Sequence, residues 1–195
     1  MDIYKNCKTF YARDVNSWRV WLSQNYNKEK SVFLILYKKG SNIPSISVDD
    51  AIDQALCFGW IDSKINKKDE ISWYQYFAKR NHKSNWSRVN KMKVERLINY
   101  GLMAEPGLEI IRIAKTSGTW DALNNVEDLF IPEELQILFS ENIKASDHWE
   151  NFSRSVKRGI LEWIFNAKKD ETKIERIKKT VRMAENNKKA NFDKE

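Results

Sequence analysis

Between Ser47 and Phe58 apolar side chains recur at helical spacing. Val48, Ile52, Ala55 and Leu56 fall on one face, Ser47 stands where a cap belongs, and Asp49 and Asp50 occupy the first turn. The pattern then changes: Cys57-Phe58-Gly59-Trp60-Ile61 is apolar around a glycine. The spacing therefore predicts a buried helix that turns at Gly59 straight into a strand. Two runs with strand character follow, Trp60 to Ile65 and Ile71 to Ala78, separated by a polar tip at residues 66–70, and an antiparallel hairpin is the economical reading. In its second arm Trp73, Gln75 and Phe77 share one face and Tyr74 and Tyr76 the other. Rings on both faces suit a strand covered on both sides, or one lining a cleft.

Elsewhere, Phe10 to Tyr26 reads as an amphipathic helix with Asp14 as N-cap and Val15, Trp18, Trp21 and Leu22 on its apolar face. Ser31 to Lys38 reads as a buried strand, and Gly40, Ser41 and Asn42 mark a loop. Ser87 caps a helix carrying Val89, Met92, Val94, Leu97 and Ile98 that stops at Gly101, and Pro106 opens a shorter helix to Lys115. From Ile131 the pattern is helical throughout, and the last helix, from about Glu171, dissolves near Asn186 into a tail expected to fray. These elements predict an α+β protein, with a small, mostly antiparallel sheet of about three strands flanked by helices and then an all-helical C-terminal unit. A composition shift near Glu127 sets the expected boundary, giving parts 1–126 and 127–195 packed as one compact unit.

Composition narrows the class. With 42% hydrophobic and 31% charged residues the chain is globular rather than disordered. Its 8 Trp require most of the rings to be core, since exposing them would drive association. Two cysteines do not make a disulfide framework. The N-terminal run lacks the apolar stretch of a secretory signal, and Val32 to Tyr37 is far too short to span a bilayer. A cytoplasmic protein with no membrane insertion is expected. The net charge of +7 admits nucleic acid or an acidic ligand as partner without requiring either.

Candidate chemistry gathers at Arg80, Ser84, Trp86, Ser87 and Asn90, with Asp62 on the neighbouring hairpin. The free amides of the helix capped by Ser87 form an anion site, and Lys79 or Arg80 completes a clamp on a carboxylate or phosphate. The alternative is structural: Ser87 only caps, Trp86 staples into the core, and Arg80 pairs with Asp62. Cys57 is a weak candidate nucleophile, with His82 and His148 as the available bases, set against a core cysteine acting as a small hydrophobe. Two His and two Cys far apart in sequence give no metal site, and no Gly-rich phosphate loop points to a cofactor. The basic C-terminal helices, Lys157 to Lys179, can track a phosphate backbone, but interleaved acids such as Glu171 and Glu175 favour intrahelical pairing.

The run Ala55 to Asp62, ALCFGWID, together with the Ser84-x-Trp86-Ser87 segment, the Gly101-Leu102-Met103 turn and Ile131-Pro132-Glu133, resembles the YdeI/OmpD-associated, or bacteriocin-protection, family. Further matching positions in the C-terminal part are Ser153, Lys157, Trp163, Ala167-Lys168 and Glu171-Thr172. The chain departs from the family in having Lys173 where Arg is common, and Ala78 alone where Thr-Pro is common. The resemblance implies a role in tolerance of bacteriocins or antimicrobial peptides and carries no catalytic residues. The expectation is a binding or stress-protection module for a small anionic ligand. Nucleic-acid binding and a Cys57 enzyme are the alternatives.

Overall fold

A computed structural model describes residues 2–194. They form two compact units, Met1–Asp121 and Ala122–Glu195.

The first unit opens with β1 (Ile3–Tyr4) and β2 (Cys7–Tyr11), joined by Lys5 and Asn6 in the left-handed region. Next come α1 (Val15–Asn25), β3 (Ser31–Tyr37), α2 (Val48–Cys57), β4 (Trp60–Lys67), β5 (Ser72–Lys79), α3 (Arg88–Asn99) and α4 (Glu105–Ser117). Among the described residues the sheet has five strands in the order β1-β2-β3-β5-β4, two more than the three or so expected. β3, β4 and β5 supply the antiparallel part that hydrophobic alternation predicts. The additional strands lie at the N-terminus, where β2 pairs parallel to β3 through the α1 crossover. The helix expected from Phe10 accordingly begins at Val15. Asp14 closes a capping box there, accepting from the Ser17 amide at 2.7 Å, and the cap overrides the apolar continuation through Phe10 and Tyr11.

One core forms between the inward side chains of the strands and the helices. Val32, Leu34, Leu36 and Phe77 meet Trp18, Leu22, Ala51, Ala55 and Val94 there, all of them fully buried. The Trp18 indole donates to the Ala51 carbonyl at 3.0 Å and ties α1 to α2 inside that core. At the end of α2, Gly59 takes φ +72, and a Cβ there would lie 2.9 Å from the Ile110 side chain. Only glycine permits both the turn and the approach of α4. α4 approaches more closely still at Gly107, whose missing side chain faces the Cys57 carbonyl.

The second unit comprises α5 (Asn124–Glu127), α6 (Glu133–Glu141), α7 (Ile143–Asn151), α8 (Arg154–Phe165) and α9 (Asp170–Glu185) around Leu135, Trp149, Ile160, Ile164 and Ile177. Its tail does not fray over residues 186–193. After α9 the chain turns at Asn187, whose φ is +52, and Ala190 is buried in the unit's core. The Phe192 ring covers Gly159 of α8.

Candidate functional site

The chain around Gly59 builds a cavity of about 250 Å³ in the first unit. Phe58 and Trp60 flank the glycine, Tyr26 and Asn27 enter from the end of α1, and Pro106 and Ile110 come from α4. Lys79, Arg80 and His82 bring cationic or titratable groups from the end of β5. Hydrogen bonds to backbone carbonyls hold these walls: the Arg80 amide donates to the Gly59 carbonyl at 2.9 Å, and the Trp60 indole to the Tyr26 carbonyl at 3.2 Å. The Lys79 ammonium donates to the Asn27 carbonyl at 3.0 Å.

Arg80 is the unusual residue. It is 6% exposed, its guanidinium lies 3.8 Å from the Trp86 ring centroid, and one terminal nitrogen donates to the Asn85 carbonyl. Its buried Nε has no hydrogen-bond partner, and no ion pair engages the side chain among the described residues. Burial pushes its pKa down to about 10, so the group stays charged at neutral pH. A buried cation without a carboxylate is costly.

The structure redistributes the residues expected to surround Arg80. Trp86 lies beneath the guanidinium, 5.0 Å from Trp120 and almost wholly buried, so it is platform and core at once. Ser87 accepts from the Asn90 amide at 3.3 Å and caps α3. Ser84 is exposed on the preceding loop, its amide bonded to the Asn81 carbonyl. Asp62 accepts from the Gln75 amide group at 2.9 Å rather than pairing with Arg80. Of the six, only Arg80 lines the cavity. Its companions there come from four separate stretches, and no spacing within one stretch could have announced them. The clearest available signal was the ring-rich run Phe58-Gly59-Trp60 beside the basic pair Lys79-Arg80.

Residues 10–110, just over half of the chain, match a family model described as a domain of unknown function, DUF8412. The chain belongs to that family. Residues 128–187 match a second model, described as bacteriocin-protection, YdeI or OmpD-associated. The resemblance is thus shown for the C-terminal segment, whereas ALCFGWID and the Arg80 cavity lie within the DUF8412 match. No curated protein and no solved structure matches the chain.

Cys57 in the DUF8412 segment is fully buried, and burial is the main influence raising its thiol pKa, only partly opposed by Arg19. Both features run against a reactive thiolate. In the YdeI/OmpD-associated segment several basic side chains are already engaged. Lys157 meets Glu150 at 2.7 Å, Arg158 bridges Glu127 and Glu162 at 3.0 Å each, and Lys173 approaches Glu134 at 3.6 Å. Among the described residues no group of three or more His, Cys, Asp or Glu side chains could hold a metal ion, and no helix is long and apolar enough to cross a membrane.

Proposed function

We propose that the first unit is a binding module for a small anion with an apolar body, seated in the Arg80 cavity. The bacteriocin-protection description of the family matched at residues 128–187 suggests stress tolerance as the setting in which such a module works. The observation that carries the proposal is the buried Arg80 guanidinium, which makes no ion pair among the described residues and leaves its Nε unpartnered at the cavity wall, where the acidic residue Glu109 is engaged by Arg112 at 2.7 Å. A carboxylate or phosphate oxygen supplies the missing acceptor and counter-charge together, and Phe58, Trp60 and Ile110 receive an apolar body. Lys79 adds a second positive charge to the wall, partly offset by Glu109.

Benzoate is a suitable probe. Titrated against isotopically labelled protein, it should shift the amide resonances of Gly59, Trp60 and His82. Arg80→Gln should weaken binding about 10- to 100-fold, the value of one charge-assisted hydrogen bond, while the variant still melts cooperatively. Unchanged benzoate shifts in Arg80→Gln, accompanied by a lower melting temperature, would assign Arg80 a purely structural role and overturn the proposal.

A further inference from the structure

The sheet of the first unit has a second face, which the core does not use. Strand side chains alternate, so with Val32, Leu34 and Leu36 turned inward, Phe33, Ile35 and Tyr37 turn the other way. Register sets Tyr76 opposite Phe33 and Tyr74 opposite Ile35 on the same side. Tyr4 of β1 folds over this face, its ring stacked on Tyr74 at 4.2 Å and edge-on to Phe33 at 5.0 Å. Tyr76 meets Phe33 at 5.0 Å, and Tyr11 meets Tyr37 at 5.4 Å. None of these rings belongs to the core the helices share. Phe33 is buried under tyrosines, while Tyr4, Tyr74 and Tyr76 keep part of their surface open.

Beside the rings lies a cavity of about 410 Å³ that includes Phe33 and Tyr76 in its wall, with Lys5, Lys64 and Asn66 around it. No acidic residue lines it. Lys8, Lys67 and Lys68 nearby are paired with Glu29, Glu70 and Asp69. Lys64, by contrast, has no ion-pair partner among the described residues, and Lys5 donates to the neutral Asn66 at 3.0 Å and lies 5.3 Å from the Tyr4 ring centroid. Two unneutralised ammonium groups thus flank a tyrosine-rich surface.

We propose that this face binds single-stranded nucleic acid, with Lys5 and Lys64 on the phosphates and the tyrosines stacking the bases. Charge complementarity selects a polyanion, and the rings select one whose flat faces are free. A duplex hides its bases from a ring platform, whereas a single strand splays them out. Tyr74 and Tyr76 stand two residues apart on one strand, about 7 Å, and Tyr4 already covers one face of Tyr74, so one unstacked base can meet the Tyr4–Tyr74 stack and its neighbour Tyr76. The site is distinct from the Arg80 cavity and does not depend on it.

The test is fluorescence anisotropy of a labelled oligothymidylate of about 12 nucleotides, titrated with the full chain at several salt concentrations. Wild-type protein should bind, with affinity falling log-linearly as salt rises. Lys5→Glu combined with Lys64→Glu should cut affinity about tenfold or more and reduce the salt slope by about 1.4, at about 0.7 for each phosphate set free. Tyr74→Leu should weaken binding about tenfold without changing that slope. Arg80→Gln should bind as wild type, and so should Lys168→Glu combined with Lys178→Glu. The proposal is overturned by any of four results: no binding at the lowest salt, loss only in the Lys168/Lys178 variant, equal affinity for the matching duplex, or a Tyr74→Leu effect confined to self-association. Both lysines are exposed, so the charge reversals remain informative if Tyr74→Leu fails to fold.

Discussion

Gly107→Ala sets two familiar effects against each other at one atom. Gly107 lies in the first turn of α4, where alanine is the better helix former by up to about 1 kcal/mol. On propensity alone the change stabilises. However, a Cβ there would sit 2.3 Å from the Cys57 carbonyl oxygen, 2.7 Å from its carbon and 2.8 Å from the Leu56 oxygen. All three atoms are backbone of the end of α2, and none can swing aside. Relieving the clash requires α4 to retreat by roughly 1 Å. That movement stretches the bond from the Ala104 amide to the same Cys57 carbonyl, now 3.1 Å, and loosens Ile111 and Ala114 in the core. Overpacking of about 3 kcal/mol and a weakened hydrogen bond of about 1 kcal/mol outweigh the propensity gain. The net loss is about 3 kcal/mol. For a unit of this size that lowers the melting temperature by roughly 10 °C. Near-ultraviolet circular dichroism, which reports the Trp18–Trp21–Trp60 cluster, reads the transition directly. Because Pro106 and Ile110 line the Arg80 cavity, benzoate binding should weaken in step. A variant melting within about 2 °C of wild type, or above it, would refute the steric argument.

Three further outcomes follow from the same structure. Gly159→Ala should behave oppositely: its Cβ would meet only the far end of the half-exposed Phe192 ring, so stability of the second unit rises by up to about 1 kcal/mol while residues 189–194 become quicker targets in limited proteolysis; a clear drop in melting temperature would contradict this. Burial pushes the Asp62 carboxyl up, so the folded state holds that proton more tightly than the unfolded state, and the stability it contributes is present in acid and lost as pH rises through the folded pKa. Asp62→Asn should therefore raise the melting temperature at pH 7 and lose its advantage near about pH 3; an equal gain at both would trace the effect to shape rather than charge. In native protein at pH 7 a thiol reagent should modify Cys7 and spare Cys57 until denaturant is added, and comparable native rates at both would restore Cys57 as a candidate nucleophile.

Local signals carried much of this fold. Ser47, Asp14 and Ser87 announce helix starts in the sequence, and each accepts the backbone bond that its position implies. The β4–β5 hairpin was legible because alternation and a polar tip are both short-range. The β1–β2 pair was not, since its turn is built from Lys5 and Asn6 instead of the glycine that usually marks left-handed backbone. The parallel partnership of β2 with β3 depends on a crossover, and no alternation within either strand encodes it. The polar tail concealed its two anchors, Ala190 and Phe192, although the paired asparagines at 186 and 187 are a recognisable helix stop. At the site, Arg80 stood out through its basic pair and nearby rings. Asn27, Pro106 and Ile110 become its neighbours only when α1 and α4 close on Gly59.

The borders of the sheet bear on how the molecule stays dispersed. An open sheet invites foreign strands wherever a long, regular row of amides is left unpaired, and fibrillar stacking begins at such rows. One border here is β1, only two residues long. The other is β4, whose register slips between Asp62 and Ile65 and which carries Lys64 and Lys67 on either side of the exposed Ile65. The kink and the two ammonium groups act as gatekeepers around an apolar side chain that would otherwise template aggregation. Lys64 therefore has a colloidal duty besides any ligand it meets, and exchanging it for a β-branched apolar residue would leave a longer adhesive stretch on the molecule's flank.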